Sequence, residues 1–95
     1  MDKALIELCE QIQALNKQAY VMYQPQVEQL IKSRIKDEKT IQHTLDGLLD
    51  FCGDSDILLL FKKLCRYYWA INPLETAEYI NIYREFWDNE NYKDE

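Results

Sequence analysis

Hydrophobic positions in this chain recur at three- and four-residue intervals almost from end to end, the period of helices that each bury one face. The densest stretch is residues 57–71, ILLLFKKLCRYYWAI. At 100° per residue its polar positions Lys62, Lys63 and Arg66 cover only a narrow arc. A helix apolar over most of its circumference is buried over most of it, so residues from about 55 to 71 are predicted to form a central helix.

The flanking segments supply the helices that wrap it. Over 2–22, Leu5, Leu8, Cys9, Ile12, Leu15, Ala19 and Met22 form one apolar stripe, with Glu7, Glu10, Gln11, Lys17 and Gln18 pointing away. Gln24-Pro25 is read as an interruption, because Pro25 has no N–H and biases the preceding residue away from helical geometry. A second, shorter helix would then reach about residue 36, with Val27, Leu30, Ile31 and Ile35 inward; turn and kink at Pro25 both remain open. A helix over 37–52 carries Ile41, Thr44, Leu45, Leu48, Leu49, Phe51 and Cys52 on its apolar arc, and Gly53 is read as its left-handed cap. Asp54 or Ser55 can cap the central helix. Asn72-Pro73-Leu74-Glu75 opens a last helix to about residue 87, presenting Tyr79, Ile80, Tyr83, Phe86 and Trp87 on one side. The fold predicted is all-α, a compact antiparallel bundle of four to five helices in one domain spanning 1–95, with an acidic tail over 89–95 expected to fray.

Composition narrows the class. The chain has 95 residues, 47% of them hydrophobic, with two Gly and two Pro. That is enough apolar surface for a core without disulfides or metal. Seventeen acidic residues against eleven basic ones give a net charge of −6, which works against long-range attraction to nucleic acid or anionic lipid. No apolar leader follows Met1-Asp2-Lys3-Ala4, and the longest unbroken apolar runs have five residues, so neither a secretory signal nor a membrane span is expected. Three cysteines, Cys9, Cys52 and Cys65, follow no motif spacing and read as reduced thiols of a cytoplasmic protein.

Chemistry-bearing motifs are sparse. The single histidine, His43, has Lys39 and Asp46 nearby on a polar helix face, but no nucleophile motif accompanies it, so no catalytic residue is assigned. Zinc spacing and the di-iron signature are absent. The acids Asp46, Asp50, Asp54 and Asp56 lack the calcium-loop pattern and read as caps and solvated charges, so no metal or cofactor is expected. Two basic stretches, Lys32/Arg34/Lys36/Lys39 and Lys62/Lys63/Arg66, sit in an acidic chain and make nucleic-acid binding an unfavoured reading.

The aromatics remain. Nine of the twelve fall from Phe61 onward, more than one face of each helix needs. Leu59 projects into the same arc as Lys62, Lys63 and Arg66, and Trp69 stands at its border. Burying that arc would strand three charges, so it is expected to face outward and carry its apolar members with it. An apolar anchor with a charged rim is the anatomy of a protein contact. Leu59, Lys62, Lys63, Arg66 and Trp69 are therefore the expected interaction residues of a non-enzymatic module that binds another protein or itself. The alternative is an acidic inhibitor or immunity-type protein that blocks a nucleic-acid-directed enzyme through Glu75, Glu78, Glu85 and Asp88.

Overall fold

Three of the four helices described start on side chains that accept from free backbone N–H groups. The computed structural model describes residues 2–87, in which four helices form: α1 (Lys3–Lys32), α2 (Glu38–Leu49), α3 (Ser55–Trp69) and α4 (Pro73–Trp87). The expected acidic tail 89–95 and Asp88 lie outside the described residues. The Asp2 carboxylate accepts from the Ala4 N–H at 3.1 Å, and Asp54 accepts from the N–H groups of Asp56 and Ile57, both at 3.1 Å. Asn72 caps α4 by accepting from the Glu75 N–H at 3.1 Å, with Pro73 at the first helical position where its missing N–H costs nothing.

Consecutive helices run antiparallel, so α1 and α3 point one way and α2 and α4 the other. The cross-links fix these directions. Lys63 of α3 pairs with Glu28 of α1, and one turn further the Tyr67 hydroxyl donates to the Ile35 carbonyl at 2.6 Å. On the other pair, the Tyr79 hydroxyl donates to the Gln42 carbonyl at 3.4 Å and the Trp87 indole N–H to the Leu49 carbonyl at 2.8 Å. As predicted, α3 is the central helix and packs against all three others. Its buried face, Ile57, Phe61, Leu64 and Tyr68, meets Val27 and Leu30 of α1, Ile41, Leu45 and Leu48 of α2 and Tyr79 of α4 in one core.

Three sequence expectations are corrected. Pro25 neither turns nor divides the chain; it lies inside a single thirty-residue α1. Pro25 and Val21, whose carbonyl loses its partner to the proline, are both exposed, so that carbonyl is open to solvent. The continuous buried face of Ala19, Val27 and Leu30 then holds the helix through the proline. Gly53 is not a left-handed cap, since no glycine among the described residues has positive φ. It is glycine because the Trp87 ring lies on it: a Cβ there would be 2.8 Å from Trp87 Cζ3.

The third correction is the largest. The α1 stripe exists, but only Ala19 of it is buried. Every residue from 2 to 15 is exposed, including Leu5, Leu8, Cys9, Ile12 and Leu15, because the bundle ends near Asn16, where the start of α3 meets α1, and α1 continues past it. The projecting thirteen residues, 3–15, extend about 20 Å at helical rise.

Candidate protein-binding surface

The outward arc of α3 carries the five expected interaction residues, and the structure divides them. Leu59 is 63% exposed and Trp69 54% exposed, both on the outer surface of α3. Lys63 turns toward α1 and is paired with Glu28, so it is not part of an apolar site. Lys62, Arg66 and Trp69 turn the other way and line a groove between α3 and α4 with a volume of about 520 Å³. Leu59 lines neither this groove nor its neighbour.

The groove follows from helix spacing. On α3, Leu58, Cys65 and Trp69 form its near wall, with Phe61 below; on α4, Ile80 and Tyr83 form the far wall. Phe61 and Tyr83 stack at its floor with ring centroids 5.9 Å apart and planes inclined by 34°. Lys62 and Arg66 stand along the α3 edge, and Arg84 along the α4 edge. The surface is therefore an apolar channel with two cations, Lys62 and Arg66, along its α3 edge. The α4 wall was not assigned from sequence; the signal available was the fourth-residue spacing of Thr76, Ile80 and Tyr83's neighbour Arg84, which places them on the α3-facing side.

A second groove joins residues far apart in sequence. Arg34 and Lys36, just after α1, meet Arg66 over Ile31, Tyr67 and Ile71. The two basic stretches thus converge, and Arg66 forms the ridge between the grooves. Arg34 has φ 53, the left-handed region. Its N–H donates to the Ile31 carbonyl at 3.2 Å and the Ile35 N–H to the Leu30 carbonyl at 3.0 Å, the two bonds of a Schellman helix end with arginine where glycine is usual.

The groups with shifted protonation serve the fold. The Tyr68 hydroxyl donates to Glu38 at 2.5 Å and accepts from the Gln42 amide at 2.7 Å, while the Asn72 amide donates to Glu38 at 2.8 Å. Donation from Tyr68 and then Asn72 holds the Glu38 carboxyl below its ordinary value. Burial, followed by the neighbouring Glu38, raises Tyr68; burial, followed by Asp46, raises Tyr79. Burial pushes the Cys52 and Cys65 thiols up to about 12, which leaves them protonated and poorly nucleophilic at neutral pH. Cys9 is exposed, and all three cysteines are free.

His43 is exposed on α2. The concavity that takes in Asp46 is otherwise lined by α4 residues such as Glu75, Glu78 and Tyr79 and does not include His43. Among the described residues, no three His, Cys, Asp or Glu side chains are placed to hold a metal ion, and no helix is long and apolar enough to cross a membrane. Comparison of the chain with known protein families, curated protein sequences and solved structures found no match.

Proposed function

We propose that this protein is a non-enzymatic interaction module that receives an acidic amphipathic segment of another protein in the groove between α3 and α4. The observation that carries this reading is the pairing of an apolar channel, walled by Trp69 and Ile80, with Lys62 and Arg66 along its edge. A chain of net charge −6 that concentrates cations beside its exposed aromatic surface has a local field opposite to its global one. Such a site selects acidic partners by contact and leaves anionic polymers and lipids repelled at long range. Its free cysteines suit a reducing compartment, the cytoplasm.

The test uses Trp69 as its own reporter, with Trp87→Phe to leave one tryptophan. An acidic amphipathic helical peptide should shift and quench Trp69 emission saturably, and a basic peptide of the same apolar pattern should not. Arg66→Glu should weaken the acidic peptide. Equal binding of both peptides, or of neither, overturns the reading.

A second reading has one observation in its favour: Asp46, Glu75 and Glu78 line a single acidic concavity on the α2–α4 side. There the protein would act as an acidic inhibitor of a basic, nucleic-acid-directed enzyme. Binding would then fall steeply with salt and be lost on Glu75→Lys and Glu78→Lys, with Trp69→Ala neutral.

A further inference from the structure

The projecting half of α1 carries a pattern that nothing in its own bundle uses. Leu5, Leu8, Ile12, Leu15, Ala19 and Met22 are spaced alternately by three and four residues, a strict seven-residue repeat over three heptads. That period is 3.5 residues per turn, the seam of a helix that supercoils with a second helix, not the broader face of one packed on a bundle. The first four seam residues are each about half exposed, Leu15 at 56%. A helix of this length with an apolar seam in water is marginal alone and is stabilised by covering the seam.

Among the described residues none covers it. Residues 88–95, DNENYKDE, hold one aromatic and no aliphatic side chain. A lipid surface is a poor match, because the polar face alternates Lys3, Glu7, Glu10 and Lys17 and offers no basic band. The positions flanking the seam are Ala4, Gln11 and Gln18 on one side and Cys9 and Asn16 on the other, all uncharged. Two identical helices therefore meet without like-charge repulsion, and no charge pattern selects a different partner.

We infer that two copies of this chain pair through Leu5, Leu8, Ile12 and Leu15 of α1 as an antiparallel coiled coil. Direction follows from Ala19, which lies on the same seam but is 5% exposed because its own bundle covers it. A parallel partner would run along the seam into that bundle. An antiparallel partner ends there, placing Leu5 opposite Leu15 and Leu8 opposite Ile12, with the two bundles at opposite ends. Four such layers bury on the order of 1,000 Å² in total, the low end for specific interfaces, so a dimer that dissociates on dilution is expected. The two-fold axis then passes beside residue 10, and the Cys9 side chains of the two copies flank it on one side of the helix pair.

This inference is independent of the α3–α4 groove, and its test separates the two. Sedimentation equilibrium of the full chain should give a dimer at high micromolar concentration that dissociates on dilution. Ile12→Glu should be monomeric throughout, with the bundle melting as in wild type because Ile12 touches none of it; Trp69→Ala should still dimerise. A short bis-maleimide should join the wild-type chains through Cys9, since Cys52 and Cys65 are buried, and should leave Cys9→Ser unjoined. A wild-type monomer at all concentrations, or an Ile12→Glu dimer, overturns the inference. An Ile12-dependent dimer that Cys9 cannot link overturns the antiparallel arrangement, because parallel pairing puts the two thiols on opposite sides of the coil.

Discussion

The phenol ring of Tyr23 in α1 lies over Gly47 in the last turn of α2, so close that a Cβ on residue 47 would stand 2.7 Å from the ring's Cζ and 3.0 Å from its Cε1. Glycine inside a helix ordinarily costs about 1 kcal/mol relative to alanine, so this position trades helix propensity for the approach of α1 to α2. Gly47→Ala is expected to destabilise by about 1–2 kcal/mol, as the displaced ring outweighs the gain in propensity. In a Tyr23→Ala background the same substitution should become neutral or stabilising. Urea titration of the four proteins in this cycle measures the coupling; additive effects would show that the ring does not set residue 47.

Arg34 is the opposite case, a side chain where glycine would be at ease. With φ 53 it carries the cost of a left-handed L-residue, about 1–2 kcal/mol, to close the end of α1. Arg34→Gly removes that cost while adding unfolded-state entropy, and should raise stability by about 0.5–1 kcal/mol net. Arg34→Val, branched at Cβ, should lower it. A melting temperature that falls for both would mean that the arginine stem's packing outweighs the backbone strain.

The Glu38–Tyr68–Asn72 cluster sets a pH dependence. Because Glu38 is held below its ordinary value of 4.5 in the folded state, its contribution is present above that value and disappears as pH falls through the folded one. Thermal melts from neutral to acid pH should show this loss, and Glu38→Gln should flatten that part of the curve. At the other end the sign reverses: Cys52 and Cys65 are raised from 9.0 to about 12, so stability should fall as pH climbs between those values. Replacing both thiols by alanine removes that slope.

How much of this was readable from the chain depended on range. Caps at Asp54 and Asn72 are local, and the all-α bundle around α3 follows from the near-complete apolar circumference of residues 57–71. Pro25 misled because a proline's local preference yields to a continuous buried face on either side of it. The stripe of Leu5 to Leu15 misled differently: periodicity says which face is apolar, not whether the chain's own helices are long enough to reach it. Of the candidate surface, the outward side of α3 was legible from its three charges. Lys63 was not separable from Lys62, since what turns it aside is Glu28, 35 residues away.

The core prediction is the simplest. Leu64 is fully buried on the inner face of α3, where all three other helices converge. Leu64→Ala should cost about 2–5 kcal/mol from lost transfer energy and the cavity left behind. Against a total of about 5–15 kcal/mol for a domain, the melting temperature should fall by many degrees. A shift of a degree or two would remove α3 from the centre of the fold.

Leu59 tests the outer face against the core it borders. It stands one turn from Lys62 and Lys63 and two from Arg66 at 63% exposure, so an aspartate there meets solvent and cations on its own face instead of apolar neighbours. Leu59→Asp should therefore melt within about 0.5 kcal/mol of wild type, as exposed substitutions do. Its effect on binding distinguishes two sizes of site. If a bound acidic segment stays between Trp69 and Ile80, Leu59→Asp alters only the on-rate, through the field of the cationic edge. If the segment is wide enough to cross the outer face of α3, the dissociation rate rises as well, because an anchor has been replaced by a charge repelling the partner's acids. Stopped-flow emission of Trp69 with the acidic peptide separates the two rates, and a mutant that unfolds would place Leu59 in the core and remove the outer face as a binding surface.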